Sequence, residues 1–146
     1  MRVRPARGQD TDAIADVYIA SFGGLTFLPR LHSDEEIRRW IGVAVVPHHE
    51  LWIVDDPVRH VVGFAALSDS MLMWLYVHPD AQNRGIGSAL LAKAKERRPG
   101  GFGLWTFQRN EGARRFYERH GLVLAELTDG TGNEEREPDA RYEWMP

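Results

Sequence analysis

The stretch QNRGIGSALL, residues 82–91, decides how this chain folds. Two glycines one residue apart, Gly85 and Gly87, stand directly before a run in which Leu90, Leu91 and Ala94 recur at helical spacing. Glycine lacks the side chain that holds a backbone away from its surroundings, so the pair marks a close approach. The helix that follows exposes N–H groups with no intrahelical acceptor and a partial positive charge at its first turn. Those are the ingredients of a phosphate site. A glycine turn with ordinary capping is the simpler alternative.

Three phosphate-binding patterns compete for the stretch. A Walker A loop ends in Gly-Lys-Ser/Thr, but Ser88 follows Gly87 with no lysine between them. A dinucleotide fingerprint needs a third small residue three positions after the second glycine, where Leu90 stands, and a first strand before it. The third pattern uses the residues ahead of the glycines: Gln82-Asn83-Arg84-Gly85-Ile86-Gly87 is Gln-x-x-Gly-x-Gly, placed just after a strand ending Val77-His78-Pro79.

Working outward, residues 51–54, 61–67 and 71–77 read as three strands, separated by Asp55-Asp56-Pro57 and Ser68-Asp69-Ser70. Such short connections imply an antiparallel meander. Ahead of it come a strand at 2–6 and a helix N-capped by Asp10 that carries Ile14, Val17, Tyr18 and Phe22. A second helix opens with the capping box Ser33-Asp34-Glu35-Glu36, places Ile37, Trp40 and Ile41 on one face, and ends at Pro47. Downstream, 104–107 is a strand, 110–120 a helix stopped by Gly121, and 122–127 with 141–144 a last antiparallel pair around a long polar loop. The order predicts one α/β domain over residues 1–146. Its central sheet is mixed, mostly antiparallel, of about seven strands, flanked by about four helices.

A second motif lies in that last helix: NEGARRFYERHGL, residues 110–122. Together the two motifs resemble the GNAT superfamily of acyl-CoA-dependent N-acetyltransferases. Its signature is Gln/Arg-x-x-Gly-x-Gly/Ala after the fourth strand, followed by Asn-x-x-Ala-x-x-Phe-Tyr-x-x-x-Gly-Phe, with Leu122 here in place of the final aromatic. The resemblance covers residues 75–122 and implies acetyl-CoA as co-substrate, with no metal. It implies that Gln82, Asn83, Arg84, Gly85, Gly87 and Ser88 hold the pyrophosphate of coenzyme A. Backbone groups of Leu75, Tyr76 and Val77 would pair with the pantetheine, and Asn110, Ala113 and Phe116 would line that arm. Asn110 is also a good N-cap, and Phe116 a core aromatic.

Amide formation from a thioester needs a neutral amine, a stabilised carbonyl oxygen and a proton for the leaving thiolate. Tyr117 stands where the family keeps this general acid, and a phenol with a pKa of about 10 can donate to a thiolate. Neighbouring helical residues point about 100° apart, so Phe116 and Tyr117 are not expected to share one core stripe. No acid lies within 71–77. Candidates for the base are therefore Glu134, Glu135, Glu137, Asp139, His32 or a bound water. Glu134 and Glu135 sit in an acidic loop that would attract a cationic amine, and Phe27, Leu28, Trp74 and Trp105 are candidate walls for the acceptor. The expected acceptor is a small-molecule primary amine. A protein or peptide amine, or a non-catalytic acyl-CoA sensor, is the alternative.

Bulk properties agree with a soluble enzyme. The chain has 146 residues, 43% hydrophobic and 27% charged, with a net charge of −3, which gives no reason to expect nucleic acid as a partner. It has no cysteine, so disulfides, thiolate metal sites and a covalent Cys intermediate are excluded. No apolar run approaches the roughly 20 residues of a membrane helix. The charged opening MRVRPARGQD lacks the apolar stretch of a secretion signal, so a cytoplasmic location is expected. The family resemblance also implies a possible homodimer through the C-terminal strands.

Overall fold

Tight turns reverse the middle of the chain twice, with His60 and Asp69 taking positive φ at the corners. The computed structural model describes residues 1–146. Its elements run β1 (Arg2–Pro5), α1 (Thr11–Gly23), α2 (Asp34–Trp40), β2 (Glu50–Asp56), β3 (His60–Ser68) and β4 (Met71–Val77). Then come α3 (Ile86–Arg97), β5 (Phe102–Phe107), α4 (Glu111–Arg119), β6 (Val123–Leu127) and β7 (Asp139–Trp144). The strands form one seven-stranded sheet in the order β1-β2-β3-β4-β5-β7-β6. The expected mixed sheet and four helices are present.

Every neighbouring pair is antiparallel except β4 and β5, which are parallel and meet only at Met71 and Gly103. Gly103 N donates to Ser70 O at 2.9 Å, and beyond that point the two strands part. On its other side β5 pairs along its whole length with β7. The sheet is therefore split over most of the length of β4, and the split faces the two glycines.

Helices cover both faces. On one, α1 and the segment after α2 bury Ile14, Val17 and Ile41 against Ile53 and Phe64. On the other, α3 sets Leu90 and Leu91 against Val54 and Leu67, and α4 adds Tyr117 beside Tyr142. Full burial of a leucine contributes about 1.5–3 kcal/mol, which fixes α3 firmly across the sheet. The buried Tyr142 hydroxyl accepts from Arg114 Nε at 3.0 Å and donates to Glu118 at 2.6 Å, tying α4 to β7.

One expected cap does not form. Asp10 makes no side-chain cap to α1. Its carboxylate accepts from both Arg4 nitrogens at 2.9 and 3.0 Å and from Arg7 N at 2.7 Å. A buried carboxylate within reach of a bidentate guanidinium gains more from that pair than from a helix N–H, so Asp10 braces β1 instead.

The far end of α3 is clamped to β2 through Glu50. Its carboxylate accepts from Arg97 at 2.6 Å, Trp52 Nε1 at 2.8 Å and Arg98 at 3.1 Å. Burial alone would raise its pKa, but these donors outweigh that effect and hold it at about 2. The folded value lies below the ordinary 4.5, so the clamp is complete above about pH 4.5 and is lost as pH falls toward 2. Glu50→Gln should lower the unfolding free energy at pH 7 by about 1–2 kcal/mol. In urea titrations the gap between variant and wild type should shrink steadily from pH 5 to pH 2.5; a constant gap would show that the clamp acts by packing alone.

Candidate functional site

The split between β4 and β5 opens into a groove of about 1580 Å³, floored by the edge of β4 and walled by the loop before α3, the end of β5, and α4. Hydrogen-bond alternation fixes which groups of β4 face it. His78 N donates to Val62 O at 2.8 Å, so 62/78, 64/76 and 66/74 are the bonded pairs of the antiparallel ladder. The main-chain groups of Tyr76 consequently face β3, and those of Leu75 and Val77 face the groove. Val77 O already accepts from Ser21 Oγ of α1 at 2.9 Å. Of the three residues expected to offer backbone groups, Leu75 offers both, Val77 its N–H, and Tyr76 neither.

The loop entering α3 carries two unusual backbone positions, Asn83 at φ 65° and Gly85 at φ 78°. No backbone N–H from residue 82 to 88 donates to a protein acceptor; the first bond of the helix is Ala89 N to Gly85 O at 3.0 Å. These donors, with the helix dipole behind them, make an anion cradle. The glycines divide the labour. Gly85 is needed for its left-handed φ, and a Cβ there would meet nothing. At Gly87 a Cβ would lie 3.3 Å from the Phe116 ring and 3.8 Å from Val77 Cγ2, so this glycine lets α4 close on α3.

Gln82, Asn83, Gly85, Gly87, Ser88, Asn110, Ala113, Phe116, Tyr117, Trp74 and Trp105 all line the groove. Arg84 does not; it is exposed and has no side-chain partner. Asn110 Oδ1 caps α4 by accepting from Ala113 N at 3.2 Å. Ser88 Oγ lies 3.0 Å from His120 Nε2, while His120 Nδ1 lies 2.8 Å from Phe116 O. A carbonyl only accepts, so Nδ1 carries the proton, and in the neutral ring Nε2 takes the proton of Ser88. The serine hydroxyl thus spends its proton on the protein, leaving its backbone N–H for an anion.

Tyr117 is 7% exposed, packs in the core and has no hydrogen-bond partner for its hydroxyl. Burial pushes that hydroxyl above its ordinary value, so it stays protonated at neutral pH. Phe116 packs against the same core cluster, edge-on to Tyr117 at 5.3 Å. The expectation that the two could not share one core fails: Tyr117 lies within the cluster, and Phe116, partly buried, packs against it where it meets Gly87 of α3.

The carboxylates of the last loop meet different fates. Glu137 is paired with Arg109 at 2.7 and 2.9 Å. Asp139 is bonded to Thr128 and to Asn133. Glu134 lies 2.5 Å from His32 Nε2. Glu135 alone has no protein partner, and it faces the groove. Phe27 does not line the groove; it packs edge-on to Phe107 at 6.1 Å with the Arg109 guanidinium 4.8 Å above its ring. Leu28 and Glu134 line a smaller adjoining cavity.

Two groove residues escaped the sequence reading. Arg115 and Arg119 stand one helical turn apart on α4, the helix whose Phe116 touches Gly87, and both line the groove. Their i,i+4 spacing on a helix with a cofactor motif was the available signal. No cluster of three potential metal ligands occurs, and no helix is long and apolar enough to cross a membrane.

A family model described as "Acetyltransferase (GNAT) domain" matches residues 47–122. Among solved structures, apo-form YjaB from Escherichia coli superposes with a TM-score of 0.80 at 20% identity, over 98% of this chain and 96% of that one. A GCN5-related N-acetyltransferase from Rhodopseudomonas palustris gives 0.78 at 22% identity, over 99% and 95%. The protein yncA from Salmonella typhimurium, solved with its cofactor acetyl-CoA, gives 0.74 at 20%, over 99% and 93%. At these identities the likeness speaks to the fold. A search of curated proteins gives no match.

The left-handed corner gives a direct test of the loop. Gly85→Ala should cost about 1–2 kcal/mol of stability, since an L-residue is strained at φ 78°. An unfolding free energy unchanged in urea would show that the corner relaxes without the glycine.

Proposed function

The chain belongs to the GNAT acetyltransferase domain family, and from that premise we propose that it transfers the acetyl group of acetyl-CoA directly to a primary amine of a small molecule, with Tyr117 as general acid. The observation that carries the reading is Tyr117 itself: its ring lies in the core, and its hydroxyl, held protonated, opens on the groove with no protein acceptor. A core tyrosine with a purely structural role normally satisfies its hydroxyl, as Tyr142 does.

The remaining roles follow from what each group can offer. The unpaired N–H groups of residues 82–88 receive the pyrophosphate, and Arg115 and Arg119 supply the cations that Arg84 was expected to provide. Leu75 and the Val77 N–H extend the split sheet by pairing with the amides of the pantetheine arm, as a strand would. Asn110, Ala113 and Phe116 form the opposite wall.

The acceptor nitrogen, having lost one proton to water, attacks the thioester carbonyl carbon. The C–S bond breaks, Tyr117 gives its proton to the sulfur, and the second proton of the nitrogen restores the phenol by way of water. The balance is one amide, one thiol and one proton released for each ammonium consumed. With no cysteine in the chain, the acetyl group passes without an acetyl-cysteine intermediate.

Tyr117→Phe should lower kcat by about a hundredfold or more while leaving acetyl-CoA affinity within about twofold, measured by thiol release and by calorimetry. An unchanged kcat would remove Tyr117 from the reaction. The absence of any acid from Met71–Val77 favours one competing reading, a non-catalytic acyl-CoA sensor. Tight binding with no thiol release across a broad amine panel would establish that reading instead.

The exposed edge strand β6 presents Val123, Leu124 and Leu127 to solvent. Unpaired edges with apolar side chains seek a partner, which supports a homodimer closing there. Light scattering should give twice the chain mass, falling to the monomer in Val123→Lys/Leu127→Lys.

A further inference from the structure

The groove has a side chamber. A cavity of about 540 Å³ opens between α1, the 24–33 connection, α2 and the β6–β7 loop, and it shares Tyr18, Phe22, Leu25 and Glu135 with the groove. Its size suits a small molecule. Its walls are largely apolar, built from Phe22, Leu28, Leu31, Ile37 and Trp40.

Four carboxylates line this chamber against one arginine and one histidine, and all but one of those carboxylates have a side-chain partner. Arg30 lies 2.6 Å from Asp34, and His32 lies 2.5 Å from Glu134 and 3.9 Å from Glu36. Glu36 also accepts from Ser33 N at 2.9 Å, completing the capping box of α2. What remains is Glu135, half-buried and unpaired, at the doorway between chamber and groove. Two hydroxyls stand within reach of its field. Burial keeps Tyr18 and Tyr76 protonated, with the charge of Glu135 next in weight at Tyr18 and the neighbouring tyrosines at Tyr76, so both are donors and neither supplies positive charge.

We propose that the chamber holds the body of the acceptor, and that the acceptor is a primary amine on an alkyl or arylalkyl body lacking a carboxylate, its nitrogen entering past Glu135. This rests on the acetyl-transfer reading above and narrows its substrate. An ammonium at the doorway meets an unpaired carboxylate in a chamber whose carboxylates outnumber its cations, and the apolar remainder meets apolar walls. An α-amino acid carries a carboxylate beside its amine, and so beside Glu135. Arg30 and His32 are already engaged and cannot receive it. Rejection of amino acids therefore comes from repulsion and a missing counter-charge, not from shape.

The test uses matched pairs that differ only in the carboxylate: phenethylamine and phenylalanine, tryptamine and tryptophan, pentylamine and norleucine. Each is assayed with acetyl-CoA for thiol release. The amine should exceed its amino acid in kcat/KM by about a hundredfold in at least the aromatic pairs. Glu135→Gln should raise KM for the amine about tenfold, with KM for acetyl-CoA within about twofold, which also shows that the variant is folded. Glu135→Arg should bring the paired rates together or reverse them. Faster turnover of the amino acids, or a pair ratio that neither variant moves, would overturn the assignment while leaving acetyl transfer intact. No thiol release from any compound would instead strike the acetyl-transfer reading, and this one with it.

Discussion

Everything functional in this molecule depends on one incomplete strand pairing. β4 and β5 are bonded only at Met71 and Gly103, so the sheet is torn along the remainder of β4. A backbone edge left open is costly unless water or a ligand satisfies it. Here the cost is contained: Tyr76 turns its groups inward to β3, Val77 O is taken by Ser21, and β5 finds a complete partner in β7. What stays open is a short, specific set of donors and acceptors at Leu75 and Val77. A binding surface made of main chain needs no particular side chain to encode it.

The same tear explains why the two glycines do different work. α3 starts where β4 ends, and its first turn must point into the split to be of use. Gly85 provides the left-handed corner that aims it. Gly87 provides room for Phe116, which brings α4 with Arg115 and Arg119 to the same place. A phosphate-loop reading of Gly-x-Gly places both glycines against the ligand. The geometry places one against the ligand-facing turn and the other against the protein. Packing between helices is thus as much a part of this loop as anion binding.

The element order was legible because hydrophobic periodicity and turn residues agree along the chain, and the Gln-x-x-Gly-x-Gly and Asn-x-x-Ala-x-x-Phe-Tyr patterns located the groove. Pairwise choices among polar groups were not legible. Asp10 looked like a cap until Arg4, six residues earlier on β1, claimed it. Four acidic residues in one loop looked equivalent, and only three-dimensional neighbours separated Glu135 from Glu134, Glu137 and Asp139. Arg84 lies beside the glycines in sequence yet stands exposed outside the groove, whereas Arg115 and Arg119, some thirty residues on, share it. Local sequence specifies which helix forms; it does not specify which way a long side chain turns at a corner with positive φ.

These separate outcomes give the groove a polarity. At the α3 end lie unpaired N–H groups and two arginines; at the other end lies one free carboxylate beside three protonated phenols, Tyr18, Tyr76 and Tyr117. An anionic donor and a cationic acceptor entering such a groove are sorted to opposite ends by charge alone, before any close contact forms. The junction between the two ends is nearly neutral and largely apolar, and there a proton on a phenol is held tightly because burial disfavours the phenolate. A group so placed gives up its proton only when a developing charge as strong as a thiolate draws it. The burial that makes Tyr117 a reluctant acid in the resting protein is therefore what would time its proton to the breaking of the C–S bond.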